Sequence, residues 1–266
     1  MKPIPLFLLL AVTAFARAES PAPRFTASFQ TSYDGRHTDL YTQEVDRVRL
    51  LLRQAQLEIS SQLGLLQYQE GFRCPLTVRF DDAPASGVEF DLAYVRPVPT
   101  IHGFAQEMVI NLDVMAQHPG DFDRIFYHEM THAVLIDAVS SLYNRALPSW
   151  VQEGLAVYIS GEGPERVRAL AQRYRKSQVK AAVRDLQEPA LDYARDYLAF
   201  KTMVDKQSIN TLQTFVRDLA QGKLPEEAVE DSTGLSWDAF RQNVKDYTLE
   251  IYQSQARPDF GIDLRP

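Results

Sequence analysis

The first long pattern of apolar positions predicts an amphipathic helix. Its apolar residues recur in steps of three and four, as on one face of a helix. They are Tyr41, Val45, Val48, Leu52, Ala55, Ile59 and Leu63. Gly64 follows directly and is placed to end the helix. We expect this stripe to face the core and to carry no chemistry.

Alternating apolar and polar residues predict strands in the first half of the chain. The apolar positions are Leu76, Val78 and Phe80 in one segment, and Val88, Phe90, Leu92 and Tyr94 in the next. Segments Arg24–Tyr33 and Met108–Leu112 are predicted as further strands. From about Asp121 onward the pattern is helical, with Pro148 near the start of one helix and Gly161 near its end. The sequence thus predicts an α+β fold, with a small mixed sheet in the N-terminal half and a helical C-terminal half.

The N-terminus has the layout of a secretory signal peptide. A lysine at position 2 precedes an apolar run over residues 5–12, and Ala16-Arg17-Ala18 is typical of a cleavage site. The run is shorter than the roughly 20 apolar residues that a membrane-spanning helix needs. We therefore predict a signal peptide over residues 1–18, export to a bacterial periplasm or beyond, and no stable membrane insertion after cleavage.

The remaining chain is long enough to form one domain with a buried core. We predict a single domain over residues 19–256, with an α/β part to about residue 115, a helical part after it, and a loosely held tail over 257–266. Without Lys2 and Arg17, 26 basic residues oppose 35 acidic ones, and no long basic run stands out, so a nucleic-acid partner is disfavoured. Cys74 is the only cysteine, which excludes an internal disulfide. Nothing in the sequence indicates the oligomeric state.

One motif carries most of the chemical information. His128-Glu129-Met130-Thr131-His132 places two histidines at i and i+4, on one face of a helix, where they can hold a single metal ion. Phe122, Phe126, Met130 and Ala133 give that helix the apolar surface of a buried element. Buried histidines and a buried carboxylate need partners, and a metal ion supplies them.

Glu153 completes a set of three ligands. A catalytic zinc ion takes three protein ligands and leaves the fourth position to water, and His128, His132 and Glu153 make that number. The intervening residues allow one helix to end and a second helix, starting near Pro148, to return Glu153 to the metal. Glu129 would then be the general base that takes a proton from the activated water and passes it to the leaving amine.

The run from Phe126 to Ile159 resembles the gluzincin zinc metallopeptidases. Within that group it is most similar to the compact, thermolysin-like "peptidase MA-like" domains of bacterial secreted proteins. The resemblance covers about half of the chain and implies zinc on His128, His132 and Glu153, with Glu129 as the base. It also implies that the strand Ile101–Leu112 is the edge strand that pairs with an extended substrate.

This chain departs from the family at one position, and the residue that fills one further role is not determined by the resemblance. Thermolysin-like enzymes carry an acidic residue four positions after the glutamate ligand, where this chain has Val157, so another residue must orient the ligands, and Asp137 is the candidate. The family also uses a tyrosine or histidine as hydrogen-bond donor to the developing oxyanion. Tyr193 is the first candidate, and Tyr197 and Tyr158 are alternates, although Tyr193 and Tyr197 could equally belong to a packing stripe.

Three functions remain open at this point. The first is an exported zinc peptidase acting on a peptide or protein, with an endopeptidase preferred because no amine-binding motif of the exopeptidase type is found. The second, suggested by Val157, is a non-catalytic module that binds a peptide or a partner and has a structural or vestigial metal. The third is a zinc hydrolase acting on a cell-wall peptide or a small amide. Trp150 is a candidate wall of the metal pocket, although core packing is its more usual role.

Overall fold

The structure is a computed structural model that describes residues 27–29, 33–82, 92–101, 103–140, 147–188 and 192–258. It confirms the α+β class. A small mixed sheet lies in the N-terminal half, and helices make up most of the C-terminal half. The proposed signal peptide, the segment 83–91 and the last residues of the tail lie outside the described residues.

The N-terminal half consists of one long helix and four strands. The strands are β1 (Ser28–Phe29), β2 (Leu76–Asp81), β3 (Ala93–Thr100) and β4 (Gly103–Asn111). Helix α1 (Thr38–Gln62) lies between β1 and β2, buries the predicted apolar stripe and is followed by Gly64 at φ 69°. The positive φ explains why a glycine stands there, because other residues rarely adopt this conformation.

The sheet has the strand order β1, β2, β4, β3. Strands β1 and β2 are parallel, as are β2 and β4, whereas β3 runs antiparallel to β4 with Val95 opposite Met108. The alternating residues Leu76, Val78 and Phe80 of β2 are buried, as predicted. Met108, Val109 and Ile110 of β4 are consecutive and all fully buried, so both faces of the sheet are covered at this point.

The position of β4 corrects the expectation about the sheet edge. The segment Ile101–Leu112 was expected to supply the edge strand, but among the described strands β4 is internal, and β3 lies at one edge of the sheet with the two-residue β1 at the other. Strand β3 also extends to Thr100, well past the predicted end at Tyr94. Its prolines, Pro97 and Pro99, are unfavourable in a central strand because they lack an N–H group, and they are tolerated only at an edge. Those prolines obscured the strand in the sequence and explain its position.

Helices follow the sheet in close succession. They are α2 (Leu112–Gln117), α3 (Phe122–Leu135), α4 (Ser149–Ser160), α5 (Gly163–Ala171), α6 (Val179–Ala182), α7 (Tyr193–Lys206), α8 (Ile209–Ala220), α9 (Pro225–Thr233) and α10 (Trp237–Gln255). Pro148 precedes α4, and Gly161, at φ 76°, ends it. None of the helices in the described ranges is long and apolar enough to span a membrane.

Two glycines allow α7 to pack closely against the segment that carries Glu153. A Cβ atom on Gly154 would lie 2.4 Å from the carbonyl oxygen of Asp196 in α7. A Cβ atom on Gly163 would lie 2.2 Å from the ring of Tyr197, also in α7. Both distances are shorter than any normal contact, so each position requires a glycine. The contact with α7 therefore determines where the residues before these glycines, Glu153 and Glu162, are held.

Trp150 belongs to the core. Its indole stacks with Phe200 and Trp237, with ring centroids 5.6 Å away in each case, and it also contacts Phe215. Only 5% of its surface is exposed. The candidate role of Trp150 as a wall of the metal pocket is therefore wrong, and its bulk is used to join α4 to α7, α8 and α10.

Candidate metal centre

Helix α3 brings the two histidines of the motif to one side of a cleft. Its opposite side is buried in the core through Phe122, Phe126, Met130, Ala133 and Val134. The imidazoles of His128 and His132 are 4.9 Å apart, centroid to centroid. His128, Glu129 and His132 each offer a ligand atom within 4.8 Å of the other two, which is close enough to hold a metal ion. Helical spacing alone accounts for this part of the site.

Glu153 approaches the same point from α4. Its Oε2 atom lies 3.4 Å from Nε2 of His128 and 3.7 Å from Nε2 of His132. In a tetrahedral site with metal–ligand distances of about 2.0–2.1 Å, neighbouring ligand atoms lie about 3.3–3.4 Å apart. The Glu153 oxygen therefore lies from both histidine nitrogens at nearly the separation that one metal ion requires, and the donor set of two imidazoles and a carboxylate fits zinc.

Opposite charges stabilise this arrangement. Burial raises the pKa of Glu153, but the two imidazoles outweigh that effect and lower it to about 2. Burial lowers the pKa of His128, but the neighbouring carboxylates of Glu153, Glu162 and Glu129 raise it to about 9. The carboxylates around His128 thus create a strongly negative environment. That environment favours a cation between the ligand atoms.

Glu129 lies beside the histidine ligand atoms and also reaches the sheet. Its Oε2 accepts a hydrogen bond of 2.9 Å from the backbone N–H of Val95 in β3. Burial raises the pKa of Glu129, while the two histidines and the Val95 N–H act in the opposite direction. A carboxylate with a raised pKa beside a metal site suits a general base, which must release its proton as readily as it takes it. The bond also joins the edge strand directly to the candidate base.

Glu162 is the acidic neighbour that the sequence did not identify. Its Oε1 lies 3.5 Å from Nδ1 of His128, on the opposite side of the ring from Glu153. Glu162 is buried and accepts a hydrogen bond of 2.6 Å from Nε of Arg166, one turn further along. Burial raises the pKa of Glu162, but His128 and Arg166 lower it to about 2, so it is a carboxylate at neutral pH. A carboxylate behind a ligating histidine fixes the orientation of the ring.

Asp137 does not orient the ligands. Its side chain is fully buried and accepts hydrogen bonds from the backbone N–H groups of Arg73, at 3.0 Å, and Cys74, at 2.5 Å. It fastens the end of the α3 segment to the chain that leads into β2. The suggestion that Asp137 replaces the acidic residue missing at Val157 is therefore wrong, and Glu162 has that position.

Of the three candidate tyrosines, Tyr193 is the one that lines the cleft. It is the first residue of α7, and its ring packs against that of His128 with centroids 6.4 Å apart. The guanidinium carbon of Arg166 lies 4.5 Å from the Tyr193 ring centroid. The alternates Tyr197 and Tyr158 instead stack on each other in a second, smaller apolar cluster, with centroids 6.1 Å apart. Tyr193 is thus the candidate that the fold brings to the metal centre.

The cleft itself lies between β3 and the helices. It has a volume of about 400 Å³ and is lined by Leu92, Ala93, Tyr94, Val95, Val114, His118, Asp121, Ile125, His128, Glu129, His132, Glu153, Glu162, Arg166 and Tyr193. A volume of this size suits a few residues of an extended peptide or a small molecule. Of the three histidines outside the motif, His118 lines the cleft, His37 pairs with Asp113 at a distance from it, and His102 lies outside the described residues.

Comparison with known proteins adds little to these observations. No family model matches the chain. No curated protein matches it either. Among solved structures, the chain is similar to one described as a "putative zinc-binding metallo-peptidase" from Bacteroides caccae, at 12% identity over 86% of this chain and 87% of that one. The TM-score of that match is 0.27, which is too low to support an inference about fold or activity.

Proposed function

We propose that this protein is an exported zinc peptidase of the gluzincin type, an endopeptidase with a thermolysin-like arrangement of catalytic groups. The observation that carries the proposal is the convergence of His128, His132 and Glu153 at metal-ligand separations, with Glu129 beside them. Export is supported by the signal-like sequence of residues 1–18. A peptide or protein is the proposed substrate.

Zinc held by His128, His132 and Glu153 would supply a Lewis acid that polarises a substrate carbonyl and activates a water molecule. The remaining steps belong to the side chains. Glu129 takes a proton from the attacking water and delivers it to the nitrogen of the leaving amine. The Val95 N–H holds the carboxylate of Glu129 in place. Tyr193 donates a hydrogen bond to the oxygen on which negative charge develops.

Strand β3 supplies the docking edge for an extended peptide. Leu92 accepts a hydrogen bond from Asn111 N–H at 2.8 Å, so residues 92, 94, 96, 98 and 100 direct their backbone groups to β4. By alternation, residues 93, 95, 97 and 99 direct theirs to the free edge. Two of these are prolines, so the only N–H groups at the edge are those of Ala93 and Val95. The Val95 N–H donates to Glu129, so Ala93 supplies the N–H group with which a substrate can pair, together with the outward carbonyl groups of the edge residues.

The alternative function, a non-catalytic binding module, is no longer favoured by the observation that suggested it. It was motivated by Val157, where an acidic residue is expected behind a ligand. Glu162 provides a carboxylate behind His128 from a different position in the chain. A purely structural metal site would need neither an adjacent base nor an open coordination position. We therefore favour the enzyme.

The test compares the wild-type chain with Glu129→Gln. Both proteins should bind about one zinc ion when purified without chelator, and N-blocked peptides should be cleaved by the wild type. The substitution should lower kcat by about 10²–10⁴-fold with the zinc content unchanged, because it removes the base and leaves the ligands. A wild-type protein without zinc, or equal hydrolysis by both proteins, would falsify the proposal. Cleavage of only unblocked peptides would indicate an aminopeptidase instead.

A further inference from the structure

A second pocket opens beside the metal cleft. It has a volume of about 450 Å³ and is lined by Arg166, Ala169, Leu170, Arg173, Tyr174, Ala182, Arg184, Asp192, Tyr193 and Ala194. Arg166 and Tyr193 line the metal cleft as well. These two side chains are stacked, and they form the boundary between the two spaces. A ligand that passes this pair would contact both pockets.

The segment that builds this pocket is strongly basic in an acidic protein. Seven of the 28 lysines and arginines lie within residues 166–184, where no aspartate or glutamate occurs, although the whole chain has a net charge of −7. The prediction that no basic run stands out overlooked this segment. Three of the seven, Arg166, Arg173 and Arg184, line the second pocket.

Two of these arginines have no carboxylate partner among the described residues. Arg166 is paired with Glu162, and the carboxylate of Asp192 caps α7 by accepting from the backbone N–H of Arg195 at 3.1 Å. Within the ranges that the structure describes, neither Arg173 nor Arg184 has an acidic partner. Both are exposed to solvent at the pocket. Clustered positive charges repel one another, so the arrangement favours an anionic ligand.

We propose that this space, the arginine pocket, binds a carboxylate of the peptide substrate. The carboxylate belongs either to the C-terminus or to an Asp or Glu side chain. A guanidinium group binds a carboxylate through two parallel hydrogen bonds, and Tyr174 and Tyr193 provide walls for the carbon atoms next to it. The proposal rests on the proposed peptidase function and names its substrate class: peptides with an acidic group located beyond Arg166 and Tyr193.

The size and position of the pocket favour a single carboxylate over a polyanion. It is a concave space that shares a wall with the metal cleft, so a substrate in the cleft can reach it. A nucleic acid or an anionic membrane would instead contact a broad surface, including basic residues that lie outside the pocket. Arg168 is such a residue, because it is exposed on the same helix, α5, and does not line the pocket.

The experiment uses the zinc-loaded full chain and matched sets of N-blocked peptides. Each set has the same sequence with a free C-terminal carboxylate or an amide, and with an internal Glu or Gln. The test variant is Arg173→Gln/Arg184→Gln, and the matched control is Arg168→Gln. Circular dichroism checks that all variants fold. The wild type should prefer the acidic peptides, and the two peptide series separate a C-terminal from a side-chain carboxylate.

The double variant should raise KM for acidic peptides by about tenfold at low salt, with kcat and the KM of neutral peptides unchanged. The Arg168→Gln control should leave every value unchanged. The inference is overturned if the wild type does not prefer acidic peptides, or if Arg168→Gln weakens their binding as much as the double variant does. Stronger competition by inorganic phosphate than by acetate would overturn it too, because it would indicate a phosphate site.

A binding measurement separates this inference from the proposed function. Fluorescently labelled peptides are titrated against the zinc-loaded Glu129→Gln protein with and without the two arginine substitutions. If acidic peptides bind in a way that depends on the two arginines, but the wild type does not hydrolyse them, the proposed peptidase function is wrong and the proposed arginine pocket is supported. If the rate of hydrolysis depends neither on the charge of the peptide nor on the two arginines, only the proposed role of the arginine pocket is wrong.

Discussion

The two walls of the metal cleft are built in different ways. The helix wall, formed by α3, α4 and the starts of α5 and α7, presents polar and charged side chains anchored in the core. The strand wall, formed by β3, presents backbone groups at the edge of the sheet. His128, with 7% of its surface exposed, and Glu162, with 5%, show how closely the helix wall is packed. On the strand wall, Val95 is only partly buried.

The two walls suit two different roles, holding a metal ion and aligning an extended substrate. A metal ligand must be held within a few tenths of an ångström, and helices packed against a core can do so. An extended substrate instead needs a row of unpaired backbone groups, which only an edge strand offers. Glu129 connects the walls, because it extends from α3 and accepts a hydrogen bond from Val95 of β3. The base is therefore aligned by the same strand that we propose to align the substrate.

Substitution of a proposed metal ligand on the helix wall should have the largest effect on zinc binding and hydrolysis. His132→Ala removes one of three metal ligands, so both zinc and hydrolysis should be lost to the level of the buffer control. His118→Ala is the matched control, because His118 lines the same cleft but lies outside the ligand set. Zinc content by elemental analysis and peptide hydrolysis give the readout. Retention of stoichiometric zinc by His132→Ala would contradict the ligand assignment.

Tyr193 tests whether the helix wall also stabilises the transition state. Tyr193→Phe retains the ring against His128 and removes the hydroxyl group, so kcat should fall by about 10²–10³-fold while zinc content and KM change little. Tyr158→Phe serves as the control, because Tyr158 stacks on Tyr197 and does not line the cleft. An unchanged kcat in Tyr193→Phe would assign Tyr193 to packing, and steady-state kinetics at saturating peptide distinguishes the outcomes.

The part of the site that follows from short spacings could be predicted from the sequence. His128, Glu129 and His132 lie within five residues, and helical periodicity alone determines their common location. The α+β class followed from the same kind of pattern. The long helix α1 and strand β2 were predicted well because their buried positions repeat regularly.

Features that depend on contacts between distant segments were missed. The part of β3 beyond Tyr94 was not predicted, because Pro97 and Pro99 disfavour a strand locally, whereas a position at the sheet edge tolerates them. The position of Glu162 beside His128 was not predicted, because the two residues are far apart in the sequence. One local signal was available: Glu162-Gly163 repeats the Glu153-Gly154 pair, and both glycines permit contact with α7. Two glutamates held against one helix would have suggested a common site.

Glu162 tests how far the helix wall depends on residues that never touch the metal. Glu162→Gln retains the shape and removes the charge behind His128, so zinc affinity should fall by about 10–100-fold. Glu165→Gln is the matched control, since Glu165 is exposed and pairs with Arg124 away from the ligands. Competition with a chelator of known affinity measures the difference. Equal zinc affinities in the two variants would show that Glu162 has no orienting role.

Val95 tests the strand wall, where we expect the smallest effect. Val95→Pro removes the N–H group that donates to Glu129, so kcat/KM should fall by about tenfold while zinc stays bound. Val95→Ala is the control, because it shortens the side chain and retains the N–H group. The comparison is direct: a ligand change on the helix wall abolishes metal binding, whereas this change affects only the alignment of the base and substrate.

The pH dependence identifies the cause of the Val95 effect. Burial raises the pKa of Glu129, and the Val95 N–H opposes that rise by stabilising the carboxylate. Without the N–H group the pKa should rise further, and the base is active only when deprotonated. The acidic limb of the kcat/KM profile should therefore move to higher pH in Val95→Pro and stay in place in Val95→Ala. A uniform loss of rate at all pH values would mean that the substitution disturbs substrate docking rather than the base, and would separate the two roles of the strand.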